Sequence, residues 1–275
     1  MCHVCVMEGA KRHMLSRRDL FRRSAAVGAT AVAAGAVSAR AALADAHGSV
    51  VDLTHTLTPE FPTFFGVPGI AMEKQFDFAD AGFNLFEMTV NEHTATHIDA
   101  PLHFSADGQS VDEIDPATLI CPLCVVDIAA KAADDPNAMV EAADVEAWIA
   151  ANGDIPEGAL VAMHSGWAAK SGDAAAYVGR APGTEDPMAF PGFAMSAAEM
   201  LMEAGAAAIG VDTLSLDPGN SADFAVHYAW LPSGRYGIEN LAGLDRVPAA
   251  GATVFVGAPK HGGGTGGPAR VLAMT

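Results

Sequence analysis

Basic side chains are scarce. The 275 residues hold 15 Lys and Arg against 33 Asp and Glu, a net charge of −18. Seven of the basic residues fall in positions 1–44, so positions 45–275 carry eight basic and 31 acidic side chains, a net −23 over 231 residues. Such a surface repels phosphate backbones and anionic headgroups, which argues against nucleic acid or a membrane surface as partner. Cysteine is almost missing as well: Cys2 and Cys5 lie near the start, and only Cys121 and Cys124 lie beyond residue 44. A single CxxC makes no four-sulfur zinc site. Its apolar surroundings, Ile120-Cys121-Pro122-Leu123-Cys124-Val125-Val126, predict a buried strand in which both sulfurs act as small hydrophobes. Long apolar runs are also lacking. The Ala/Val/Gly-rich run at 25–37 falls short of the roughly 20 residues that cross a bilayer, so no stable membrane anchor is expected there.

That run follows Ser16-Arg17-Arg18-Asp19-Leu20-Phe21, a twin-arginine pattern, and precedes the small-residue site Ala42-Leu43-Ala44. Residues 1–44 therefore read as an export signal for the twin-arginine machinery, cleaved to leave a domain at 45–275 in the periplasm. Met14, just ahead of the pattern, offers an alternative start. The route passes folded proteins, so a metal could be loaded before export.

The chemistry concentrates in Glu92-His93-Thr94-Ala95-Thr96-His97-Ile98-Asp99-Ala100-Pro101-Leu102-His103-Phe104. Three imidazoles and a carboxylate stand at i, i+4, i+6 and i+10 among β-branched residues, which favours an extended backbone over a helix. Equal parity would place all four on one strand face, at least up to Pro101. Neutral imidazole and carboxylate suit Zn²⁺, Mn²⁺, Fe²⁺ or Co²⁺, and such an ion makes bound water act as hydroxide near neutral pH. Packing these groups together without an ion would be electrostatically costly. His47 and His55 read as ordinary histidines.

Elsewhere the pattern predicts strands at 51–58, 84–90, 119–128, 159–165, 207–211, 252–258 and 270–274, with helices at 144–151 and from a capping box at Ser196-Ala197-Ala198-Glu199 to Gly205. The alternation implies parallel pairing with helices packed on a sheet. Residues 168–191 read as a surface excursion and the glycine run at 262–267 as a loop, since it lacks the Lys-Ser/Thr ending of a phosphate-binding loop. Phe61, Phe64 and Phe65 lie on a Pro/Gly-rich loop, either as an apolar substrate wall or as staples to the core. His164 and Ser165, at the end of a strand, either line a pocket or serve the structure.

The His/Asp block resembles the signature HxGTHxDxPxHF of the cyclase family of metal-dependent hydrolases, which includes bacterial kynurenine formamidases and isatin hydrolases. Gly210-Val211-Asp212-Thr213-Leu214-Ser215-Leu216-Asp217-Pro218 and the pair His227 and Glu239 resemble the formamidase branch. Ala95 departs from the family's usual Gly. The resemblance implies a single α/β domain of the swivelling β/α/β type, with a mixed sheet and packed helices, that forms homo-oligomers. It implies that His93, His97 and Asp99 bind one divalent ion, Zn or Mn, with Asp99 bridging to a second ion held by His227 and Glu239, and that His103 carries protons. The expected activity is hydrolysis of an amide-type C–N bond in a small molecule, an aryl formamide or a cyclic amide. Lactone hydrolysis or cyclisation on the same site is the alternative within enzymes. An exported metal- or ligand-binding protein without turnover is the alternative outside them.

Overall fold

Three apolar runs too short for helices, at 120–126, 159–164 and 207–211, lie side by side as the middle of one curled, mixed sheet. The computed structural model describes residues 48–181 and 183–275, so the predicted export signal, Cys2, Cys5 and His47 lie outside the described residues. In chain order the strands are β1 Val50–Asp52, β2 Ile70–Phe76, β3 Leu85–Val90, β4 His97–Asp99, β5 Ile120–Asp127, β6 Met139–Val140, β7 Leu160–His164, β8 Gly192–Phe193, β9 Ala208–Val211, β10 Tyr236–Glu239, β11 Ala252–Gly257, β12 Gly266–Pro268 and β13 Arg270–Met274. Nine of them form the main sheet in the order β1-β13-β11-β5-β7-β9-β10-β4-β12. The β5-β7-β9-β10 centre is parallel, and antiparallel strands extend it on both sides.

Alternation along each strand sorts the core into two layers. Leu123, Val125, Leu160 and Ala162 point to one face, where they join Ile98, Ile238, Val254 and Val271. Val126, Val161, Met163, Ile209 and Val211 point to the other. There they pack beneath helices α1 (Ala142–Asn152), α2 (Met195–Glu203) and α3 (Ala225–Trp230), which contribute Val145, Trp148, Ala197, Leu201 and Trp230. Cys121 belongs to the first layer and Cys124 to the second. Both are free and buried, as expected of small hydrophobes on opposite faces of one strand. Burial pushes the Cys124 thiol up to about 12, which leaves it unreactive.

The expected α/β arrangement is present, with local corrections. Around the His/Asp block only His97–Asp99 is strand. Residues 92–96 form bends in which Ala95 sits at φ 49, so equal parity is not what gathers the side chains. The strand expected at 51–58 shrinks to β1 plus an isolated bridge at Thr54. Ser196 lies inside α2, where its hydroxyl accepts from Ala142 N instead of capping. The 168–191 segment is more than surface: Tyr177 and Phe190 are fully buried with Phe61, Trp167 and Leu214 in a third apolar cluster. The glycine run ends in β12, which pairs with β4.

β2 and β3 pair only with each other. Met72, Phe76, Phe78, Phe83, Leu85, Phe86 and Met88 on this hairpin are exposed. Among the described residues no helix is long and apolar enough to cross a membrane.

Candidate metal centre

Strand register assembles the site. β10 runs antiparallel to β4 with Glu239 opposite His97 and Gly237 opposite Asp99, so a carboxylate from far along the chain lands beside the imidazole. α3 delivers His227 from the same side, and the short 3₁₀ turn Pro101–Phe104 folds His103 back. The ring of His103 stacks on that of His93 with centroids 3.7 Å apart and planes 19° from parallel.

The inner atoms face one another closely. His93 Nδ1 lies 2.7 Å from Asp99 Oδ1, and His97 Nε2 lies 3.3 Å from both Asp99 Oδ1 and Glu239 Oε2. His227 Nε2 is 3.2 Å from Glu239 Oε1 and 3.8 Å from Asp99 Oδ2. The outer nitrogens tell which inner atoms are bare. His97 Nδ1 donates to the Ala95 carbonyl at 2.8 Å, and His227 Nδ1 donates to Asp217 Oδ2 at 2.6 Å. In their neutral forms both rings therefore turn lone pairs toward carboxylate oxygens. His97 Nε2 and Asp99 Oδ2 are buried with no hydrogen-bond partner. Lone pairs facing lone pairs at these distances call for a cation between them. Ligand atoms of His97, Asp99 and Glu239, and of His93, Asp99 and His103, lie within 4.8 Å of one another. The donor set of imidazole nitrogens and carboxylate oxygens fits a divalent ion such as Zn²⁺ or Mn²⁺.

Electrostatics agree with the geometry. Burial opposes the charge on Asp99, yet His97 and His93 outweigh it and hold the carboxyl well below its ordinary range. Burial also opposes protonation of His97 and His227. Asp99 and Glu239 overcome it at His97, and Asp217 and Glu239 at His227, so that each is pushed up to about 10. Where no ion is bound, protons collect at the point where an ion would sit. His103 behaves oppositely: burial pushes it down to about 4, which leaves it uncharged at neutral pH.

Above the cluster opens a cavity of about 380 Å³ whose lining includes Phe64, Phe65, Phe104, Leu214 and Phe224 with His93, His97, His103, His227 and Glu239. Phe104 lies 4.6 Å from His227 and 5.8 Å from Phe224, centroid to centroid. Phe61 is not in this wall. It is buried against Tyr177 and His55. His164 and Ser165 lie outside the cavity too: His164 faces a separate cavity of about 440 Å³, and Ser165 donates from N and Oγ to buried Asp212. Asp217, which also accepts from Val226 N and His227 N, has no local sequence signal for this role. The same holds for Phe224 in the cavity wall, whose only sequence signal is its place three residues before His227.

The Cyclase family profile matches residues 51–218. An isatin hydrolase from Roseibium aggregatum is 30% identical over 243 residues, covering 82% of this chain and 91% of that protein. The chain belongs to the Cyclase family. A kynurenine formamidase from Salinibacter ruber is 28% identical over 193 residues, covering 70% of this chain and 81% of the relative. Among solved structures, an isatin hydrolase bound to the product analogue thioisatinate superposes with a TM-score of 0.78 at 30% identity, over 89% of this chain and 99% of the other. Both named relatives are hydrolases, and this kinship supports an enzyme.

Proposed function

We propose that the protein is a metal-dependent hydrolase of an amide-type C–N bond in an aryl substrate, a cyclic amide or an aryl formamide. One observation carries the reading: His93, His97, His227 and Glu239 line the floor of an aromatic-walled cavity around buried Asp99, as a cluster that seeks a cation, with uncharged His103 stacked on His93. The greater coverage and identity of the isatin hydrolase favours the cyclic amide.

His93, His97 and Asp99 would hold one ion and His227, Glu239 and Asp99 a second, Zn or Mn. A divalent ion there polarises a carbonyl and makes water acidic enough to deprotonate near neutral pH. His103 accepts the proton on its free ring nitrogen and passes it to the leaving nitrogen. A ring held near pKa 4 gives up that proton readily. Phe64, Phe104 and Phe224 hold the aryl group and exclude water from its faces.

His103→Ala should lower kcat by about 10²- to 10⁴-fold with metal content unchanged. Loss of metal in that variant would make His103 a ligand, as its closeness to His93 and Asp99 permits. A turnover screen of the Zn²⁺- and Mn²⁺-loaded protein against isatin-like cyclic amides, formyl aryl amines and aryl lactones separates the chemistries. Silence on all three would leave a binding protein. Two equivalents of metal in the wild type, falling to one in Glu239→Ala, are expected; one in both would refute the second ion.

We also place the mature protein in the periplasm, on the twin-arginine pattern at 16–21, and a mature N-terminus near Asp45 checks this. A homo-oligomer is proposed on the apolar hairpin β2–β3, since a lone two-stranded arm is marginal in water. A monomer in sedimentation would end that reading.

A further inference from the structure

We infer that Thr265 and Glu92 are positioning residues that decide which nitrogen of His93 is left bare for the metal centre. The inference rests on the metal reading above and absorbs the glycine run 262–267, which the sequence pattern leaves as a plain loop.

His97 and His227 are oriented by acceptors that cannot donate, a carbonyl and a carboxylate. His93 is different. It is the more exposed ring, and its outer partner is a hydroxyl, Thr265 Oγ1, 2.9 Å from Nε2. A hydroxyl can donate or accept, so by itself it fixes nothing. Glu92 removes the ambiguity. Its Oε2 accepts from Thr265 N at 3.2 Å and from Thr265 Oγ1 at 2.6 Å. An oxygen that receives a backbone N–H offers the hydroxyl a lone pair, so the hydroxyl proton is committed to Glu92. Thr265 Oγ1 then faces His93 as an acceptor, and Nε2 must carry the ring proton. In the neutral ring the lone pair is left on Nδ1, 2.7 Å from Asp99 Oδ1, a separation that two bare lone pairs do not hold without a cation shared between them.

A half-turn about χ2 would put Cδ2 and Cε1 where Nδ1 and Nε2 now stand, and the contacts with Asp99 and Thr265 that it would lose oppose it. The loop makes the opposition firm. Gly263 N donates to Asp112 Oδ1 at 2.9 Å, Val111 N to Gly264 O at 2.9 Å, and Ala100 N to Thr265 O at 2.9 Å. Gly266 sits so close to the site that a Cβ there would lie 2.3 Å from Ile98 O and 2.8 Å from His93 Cε1. Glycine is what lets this strand pass behind the ligand with Thr265 in reach of its ring.

The test uses full-length protein stripped of metal and titrated with Zn²⁺ or Mn²⁺ against a competing chelator. Thr265→Val should weaken the dissociation constant about 10- to 100-fold, the usual scale for a lost outer partner of a ligand, and Thr265→Ser should return to within a few-fold of wild type. Nitrogen-15 spectra of the stripped protein at alkaline pH should give the Nε2–H form for His93, a mixture in Thr265→Val, and a shift toward Nδ1–H in Glu92→Gln, whose amide can donate to the hydroxyl and reverse it. Wild-type affinity in Thr265→Val, a Ser variant no better than Val, or Nδ1–H in the wild type would each overturn the inference. If the wild type itself bound neither ion, the metal reading would fall and the inference with it.

Discussion

His93, His97, Asp99 and His103 come from eleven consecutive residues, whereas His227 and Glu239 arrive from a helix and a strand more than a hundred residues later. The two halves are also anchored differently. At the ring nitrogens the local half leans on neutral acceptors: the Thr265 hydroxyl faces His93, and the Ala95 carbonyl orients His97. The remote half leans on a carboxylate: Asp217 grips His227 at ring and backbone, while the backbone N of Leu216 donates to Glu239 Oε1. A ligand held by a carboxylate is more basic than one held by a carbonyl. The remote half is therefore the one whose ring-nitrogen partner carries a charge that a single substitution can remove.

The largest expected break is at the residue the halves share. Asp99 is fully buried and faces the imidazoles of His93, His97 and His227. Asp99→Asn keeps the shape but removes the charge that neutralises a cation. Both equivalents of metal should be lost, and turnover should fall by more than the roughly 10²- to 10⁴-fold expected of His103→Ala. Metal analysis and kinetics check this; a variant that keeps one ion would mean the halves do not share Asp99.

Asp217→Asn should act on one half alone. It leaves a hydrogen-bond acceptor for His227 Nδ1 but not a charge, so one of two binding steps should weaken about 10- to 100-fold. The other step should stay as in wild type. Equal weakening of both would mean that the halves are one coupled site.

The same contrast explains what could be read in advance. The local half is legible because ligand spacing is written in consecutive letters, even though the expected strand proved to be a bend. Ala95 marks the reason: at φ 49 it occupies a conformation that favours glycine, and burial beside Trp167, Tyr177 and Leu214 holds its methyl there. The remote half became legible only through the family resemblance, because the pairing of Glu239 with His97 is a fact of strand register across the sheet. Asp217 stood within a quoted motif, yet its role is a tertiary contact with no local signature. Phe61 and Phe64 are indistinguishable by composition, three residues apart on one loop, but the first is buried within the third cluster while the second packs against that cluster from outside and lines the cavity. For the sheet, short apolar runs gave β5, β7 and β9 nearly at their observed limits, since strands buried on both faces need no alternation. Ser196 was misplaced because a good capping pattern lost to packing against α1.

The smallest expected effect concerns protons in place of metal. His97 and His227 start from an ordinary value of 6.5 and stand near 10 in the folded, metal-free protein. Between those values the folded state binds more protons than the unfolded one, so stability falls with rising pH. The contribution is whole below about 6.5 and is lost progressively as pH passes toward 10. On the proposed reading a divalent ion would take the place of those protons, and a loaded protein would have no such loss to suffer. The melting temperature of chelator-stripped protein should therefore drop between pH 7 and pH 10, and that of the loaded protein should drop less. Asp217→Asn sharpens the comparison, because it removes the first of the two carboxylates that raise His227 and leaves those beside His97 in place. Its stripped form should lose part of the pH-dependent drop; a profile identical to wild type would place the proton uptake on the local half alone.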